Sequence, residues 1–236
     1  MKPLDGAYKR VNRASGHLDE LKREINVFRQ NKISGISIDY QRIRSPIKRN
    51  EFIYIRNVRS RPIPVPQEFG IIVGEIIYSL RAALDYLVYE LACFDSKQEI
   101  EGTQFPIEDS SKKFNDRICA IETKRKGTYL RGVSSEHITA IRKLQPFNGC
   151  RWTGQLRDIS NPDKHRRLTV VDSPIVVGSE VDSIEALLAD QSVKVKDIFS
   201  FEVIFRDGTP VLETLERFVF EVIETLDGFK PEFKQR

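Results

Sequence analysis

Apolar side chains recur every three or four positions from Leu4 through Tyr8, Val11, Ala14, Leu18, Leu21 and Ile25 to Phe28. That spacing predicts one amphipathic helix over about residues 5–30. The opposite face carries Lys9, Arg10, Asp19, Glu20, Lys22 and Glu24, so the apolar stripe has to be covered by partner helices. The period then drops to two. Ile36, Ile38 and Tyr40 lie two apart, as do Phe52, Tyr54, Arg56 and Val58, with turn residues Ser45-Pro46 and Arg49-Asn50 between them. This pattern predicts an antiparallel β-hairpin inserted at about 33–60. Pro62, Pro64 and Pro66 punctuate the chain, and Pro66 suits the first turn of a helix. From 67 to 94 the seam Phe69, Val73, Ile76, Leu80, Ala83, Leu87 and Leu91 is widened by Ile72, Ile77, Leu84 and Val88. A helix apolar over so much of its surface is the central member of a bundle.

Residues 95–132 are polar and broken by Gln104-Phe105-Pro106-Ile107, with a short helix expected over 111–121. Ser134 or Ser135 caps a helix carrying Ile138, Ile141 and Leu144, which Pro146 stops. A helix over 151–160 places Trp152, Leu156 and Ile159 on one side, and Asn161-Pro162 is expected to break it. Strands are expected at 168–171, 175–177 and 198–205, part of a small β element over about 167–210, with an Asp207-Gly208 turn. The last helix, 212–226, turns Leu215, Val219, Val222 and Leu226 inward, and Gly228 is its expected C-terminal cap. The fold class expected is therefore mainly α (α+β): a single-domain helical bundle spanning 1–236, with small antiparallel β attachments.

Composition narrows the function classes. At 236 residues, with 40% hydrophobic and 31% charged side chains, the chain resembles an ordinary globular protein. The longest apolar stretch, 71–94, is interrupted by Glu75, Arg81, Asp85 and Glu90, so no membrane segment is expected. Met1-Lys2-Pro3-Leu4-Asp5 lacks the apolar run of a secretory signal. Cys93, Cys119 and Cys150 are too far apart for a metal pair or a disulfide framework, so a reducing cytoplasm is expected. The net charge of +4 is mild. Its distribution is less so: Arg42, Arg44, Lys48, Arg49, Arg56, Arg59 and Arg61 stand against the single acid Glu51. Such a run is either solvated surface or a nucleic-acid contact, for which Arg42, Arg44, Lys48 and Arg49 are the candidates. Lys124-Arg125-Lys126 begins a second basic stretch.

Acid–base chemistry near neutral pH has three histidines to draw on. His17 lies between stripe and charged face of the first helix, and His137 in the first turn of a capped one, both places where structural roles are commoner. No two histidines share helical metal spacing, and no glycine-rich phosphate loop or Gly-x-Ser-x-Gly elbow occurs, so neither metal nor cofactor is expected. His165 stands in Asn161-Pro162-Asp163-Lys164-His165-Arg166-Arg167. Asn161 as cap and Asp163 at a helix start account for half of this segment structurally. The packing of Lys164, His165, Arg166 and Arg167 calls for an anion or a carboxylate nearby, and Lys164 and Arg167 join the nucleic-acid-binding candidates. An imidazole that moves a proton beside a guanidinium that holds phosphate is a usable pair for phosphodiester chemistry. On the central helix, Arg81 and Asp85 are four apart. They form either a buried structural ion pair or a cleft where Arg81 binds an anion that Asp85 or Tyr86 orients.

The stretch Leu80 to Leu91, with the later Asn-x-Asp-Lys-His-Arg, resembles a group of bacterial proteins carrying a Leu-Arg-Ser-Ala-Leu-Asp-His-Leu helix, whose arginine–histidine spacing is similar to the HEPN signature. HEPN domains are helical bundles, many of them metal-independent RNases of toxin–antitoxin, anti-phage and CRISPR systems, often working as dimers. The resemblance covers about 150 residues. It implies a metal-independent endoribonuclease or a degenerate relative, RNA as partner, a homodimer, and a neutralising or defence-system partner protein. Arg81 falls on the motif arginine, but Tyr86 stands at the histidine position and Ala82 where many HEPN proteins have a polar residue. A phenol with a pKa near 10 is a poor base at neutral pH. Catalysis is then either lost or supplied from elsewhere, with His165 for proton transfer and Arg81 and Arg166 on phosphate. The alternative is a non-enzymatic module that binds nucleic acid, a nucleotide or a protein.

Overall fold

The first helix, α1 (Asp5–Ser34), is followed by an antiparallel hairpin of β1 (Ile36–Arg44) and β2 (Phe52–Ser60), and then by α2 (Gln67–Ser96). Three shorter helices follow, α3 (Ser111–Cys119), α4 (Ser135–Lys143) and α5 (Arg151–Lys164). Next come β3 (Val170–Asp172), β4 (Val176–Val181), β5 (Val195–Ser200) and β6 (Val203–Phe205), then α6 (Val211–Phe229), with 3-10 turns at Pro146–Asn148 and Lys230–Lys234. This computed structural model describes residues 3–44, 52–60, 63–119, 129–164, 170–172, 176–181, 195–200 and 202–234. The class is mainly α with small antiparallel β elements. No helix among the described residues is long and apolar enough to cross a membrane.

The chain divides into two compact units, where the hydrophobic pattern suggests one domain with two separate attachments. The helical unit comprises residues 1–22, 67–169 and 211–236. Its centre is α2, about 45 Å long by helical rise, which buries Phe69, Val73, Ile76, Leu80, Ala83, Leu87 and Leu91. α5 and α6 pack against it. Leu4, just before α1, contributes with Ala7, Val11, Ala14, Leu18 and Leu21 of α1, and α6 contributes Leu215, Phe218, Val222 and Leu226. Each such side chain, fully buried, contributes about 1.5–3 kcal/mol if large. Tyr8 Oη donates to Asp227 at 2.6 Å and Lys22 meets Glu216 at 2.8 Å, which fixes α1 along α6. α2 stops where Lys97 takes a left-handed conformation at φ 58°, a form glycine usually supplies.

The second unit comprises residues 23–66 and 170–210, so both β attachments group with the C-terminal part of α1. β1 and β2 pair from Ile36 opposite Ser60 to Arg44 opposite Phe52; the expected turn residues between them lie outside the described residues. β3 pairs with β6 and β4 with β5, all antiparallel. The single strand expected over 198–205 is thus two strands with different partners. At Asp207-Gly208 the expected turn is present: Gly208 has φ 88°, and the Phe205 N–H donates to the Thr209 carbonyl at 2.8 Å.

Two helix ends differ from expectation. α5 runs through Asn161-Pro162 to Lys164, so Asn161 and Asp163 lie within that helix and do not cap a new one. Pro162, in the last turn, lacks the N–H that would bond the Asp158 carbonyl and crowds that carbonyl with its ring, and the buried Trp152–Leu156 side holds the helix despite that cost. Gly228 likewise sits inside α6, which continues to Phe229 because that ring is itself buried. At α4 it is Ser134 that caps, its side chain accepting from the His137 N–H.

Candidate functional site

Arg81 enters the site from the apolar helix α2, where a guanidinium has few polar groups to meet. Its Nη2 donates to the Phe105 carbonyl at 3.4 Å, while the Phe105 N–H donates to Asp85 Oδ1 at 2.8 Å. The expected Arg81–Asp85 pair therefore acts on a third residue: one helical turn grips both backbone polar groups of Phe105, whose ring is fully buried. Gln145 holds the next residues. Its Nε2 donates to the carbonyls of Pro106 at 2.9 Å and Ile141 at 3.1 Å, and its Oε1 accepts the Glu108 N–H at 3.0 Å. Residues 105–108 are thus held rigidly over the middle of α2.

Between this segment, α3 and α5 lies a cavity of about 480 Å³ lined by four cations, Arg81, Lys113, Arg117 and Arg157, and three carboxylates, Glu108, Asp109 and Asp158. The carboxylates are already engaged. Arg117 Nε donates to Glu108 at 3.0 Å, with its guanidinium 4.8 Å from the Tyr129 ring centre. Arg157 meets Asp109 at 2.8 Å and Asp158 at 2.8 Å. The bond to Glu108 raises the Arg117 pKa. For Arg157 burial pulls downward, and the bonds to Asp109 and Asp158 outweigh it. Arg81 behaves differently: burial holds its pKa below the ordinary value, Arg157 pushes the same way, and Asp85 and Tyr129 oppose. Its Nη1 is buried and has no hydrogen-bond partner among the described residues. A buried charged donor left unpaired is costly, on the order of 1–3 kcal/mol or more. An oxyanion in the cavity would remove that cost.

Tyr86 is not part of this cavity. Five residues along a helix leave about 140° between side-chain directions, so Tyr86 projects from a different flank of α2 than Arg81. Its ring packs over Gly6 of α1, where an added Cβ would come within 2.7 Å of it, and the Arg10 guanidinium is 5.6 Å from its centre. Asp85 and Tyr86 line a separate cavity of about 410 Å³ with Tyr89, Glu101 and Thr103. His165, Arg166, Arg167, Lys48 and Arg49 lie outside the described residues, as do the side chains of Arg42, Asn161, Asp163 and Lys164. Arg44 is exposed at the end of β1.

The other two histidines sit in polar networks. His17 Nδ1 is 3.3 Å from Glu20 and its Nε2 3.3 Å from Glu75, with Arg13 Nε donating to Nε2 at 3.2 Å. His137 Nδ1 is 2.7 Å from Asp95, which also accepts the Ser134 N–H at 2.7 Å, so the imidazole ties the end of α2 to the start of α4.

Three residues that matter here, Gln145, Arg117 and Arg157, carry no signal in the linear pattern. Each reads as a polar helix-face or helix-end residue, and its partner in the segment 106–109 comes from an irregular stretch with no period to read. Comparison with family models, curated proteins and solved structures found no match.

Proposed function

We propose that this protein binds RNA and that its helical unit seats a backbone phosphate in the Arg81 cavity. The unused Nη1 of Arg81 carries this proposal. It is a buried, charged donor without a hydrogen-bond partner among the described residues, on a side chain that lines a cavity whose other two arginines are already neutralised by carboxylates. Four cations against three carboxylates leave the lining one net positive charge, which suits one phosphodiester, whose oxygens are strong acceptors for a guanidinium. The similarity of Leu80–Leu91 to HEPN helices favours RNA as the source of that phosphate, and the basic run from Arg42 to Arg61 offers further backbone contacts.

Binding is favoured over cleavage because Tyr86, at the HEPN histidine position, offers a phenol where the motif has an imidazole, a poorer general base at neutral pH. Cleavage would require His165 to take the proton.

Fluorescence anisotropy with a short labelled RNA tests the proposal. Replacing Arg81 with Gln removes a charge-assisted bond worth about 1.5–3 kcal/mol, so affinity should fall about 10- to 100-fold. Arg81→Lys, which keeps the charge, should lose less. Circular dichroism of each variant separates unfolding from lost binding. Unchanged affinity in folded Arg81→Gln would remove the cavity from the interface. Chelator-insensitive cleavage that disappears in His165→Ala would establish a nuclease instead of a binding protein.

A further inference from the structure

The outer face of α2 carries Ile71 at 62% and Tyr78 at 66% exposure, seven residues apart on one helix face. Opposite them α1 presents Arg10 and Arg13. The groove between encloses about 650 Å³ and is also lined by His17, Glu75 and Ser79. Arg10 stands 6.0 Å from the Tyr78 ring centre and 5.6 Å from that of Tyr86, so one guanidinium serves two rings. Glu75, the acid in this lining, stands 3.3 Å from His17 Nε2 and is outnumbered by Arg10 and Arg13. Arg10 and Arg13 therefore set the sign of the groove. An apolar docking helix would meet too many charges here. An open aromatic face beside two guanidiniums is instead the pairing that takes a nucleobase and its phosphate.

We propose that Tyr78 is a stacking platform for a base of single-stranded RNA, with Arg10 backing the ring and Arg13 contacting the adjoining phosphate. Tyr78 and Arg81 are three residues apart on α2, a spacing that brings Cβ atoms within about 5–6 Å. The base platform and the Arg81 cavity are separate sites with no lining residue in common, rooted one helical turn apart on α2. A base paired within a duplex has both faces covered by its neighbours, so this arrangement selects unpaired strands. The inference rests on the RNA binding proposed above and names the substrate class of that binding.

The test uses the full chain and three ligands of about eight nucleotides, within the usual range for single-strand sites. They are a labelled single strand, the same strand annealed to its complement, and a chain of abasic sites. Stacking of one base is worth about 1–3 kcal/mol. Tyr78→Ala should therefore weaken single-strand binding about 5- to 100-fold, leave the abasic chain unchanged, and be rescued by Tyr78→Phe. The wild type should prefer the single strand to the duplex. If Tyr78→Ala binds the single strand as the wild type does, the platform is refuted while RNA binding stands. If the wild type binds none of the three, the proposed function itself fails. If Tyr78→Ala weakens all three equally and shifts sedimentation toward a smaller species, the face is a contact between copies of the chain and the platform is again refuted.

Discussion

Tyr8 and Asp227 show how one side-chain pair joins distant parts of the chain. Their 2.6 Å bond spans 219 positions and sets the start of α1 on the end of α6. Burial, and then this bond, raises the Tyr8 pKa, and the same bond holds the Asp227 carboxyl below its ordinary value with help from Lys230. A carboxyl with a depressed folded pKa stabilises the protein above its unfolded pKa, and that contribution is lost as pH falls through the folded one. Tyr8→Phe should therefore lower the melting temperature by about 1–3 °C at neutral pH, a small effect because Asp227 is half exposed. The gap to the wild type should close as pH falls below about 4. Thermal scans at both pH values check this, and an equal gap at each would contradict it. Nothing in the chain foreshadows the pair, because Tyr8 reads only as a member of an apolar stripe. Arg81 is the opposite case. A charged residue midway along an apolar helix announces itself, and Asp85 four residues on suggests an ion pair. The actual partner, the backbone of Phe105, could not be read because it comes from an irregular segment.

Helices and strands were legible wherever period and breakers agreed. α1, the β1–β2 hairpin, α2 and the Ser134-capped α4 follow the pattern to within a few residues, since each buries one continuous stripe or face. Errors fell where a breaker was outweighed by packing. Pro162 and Gly228 both lie inside helices because Leu156 and Phe229, on the same helices, are buried. The segment 105–108 had no period to read, and it forms one wall of the Arg81 cavity. Gln145 is what holds it. Gln145→Leu fits the space but strands the Pro106 carbonyl and the Glu108 N–H, each costing about 1–3 kcal/mol when buried. Urea unfolding should show a loss of about 2–5 kcal/mol with an unchanged denaturant slope. RNA affinity should fall along with stability, because the wall of the cavity is no longer fixed. A stability loss under about 0.5 kcal/mol would show that this glutamine is not the support that its hydrogen bonds suggest.

At the level of the whole molecule, the mainly helical class was readable from periodicity, but the grouping into units was not. Both β attachments belong to one unit with the second half of α1, although among the described residues each strand pairs within its own attachment, so no strand pattern announces the grouping. The helical unit by itself contains the Arg81 cavity, the Tyr78 groove and the two well-placed histidines. The mild net charge of +4 is consistent with recognition by a few placed guanidiniums as much as by a broad basic field. The most direct measurement is a crystal structure of the protein soaked with a dinucleoside monophosphate. A phosphate oxygen about 3 Å from a nitrogen of the Arg81 guanidinium, inside the cavity that Arg117 and Arg157 also line, is the expected result. A phosphate bound along Arg42–Arg61 or elsewhere, with the Arg81 cavity holding none, would contradict it.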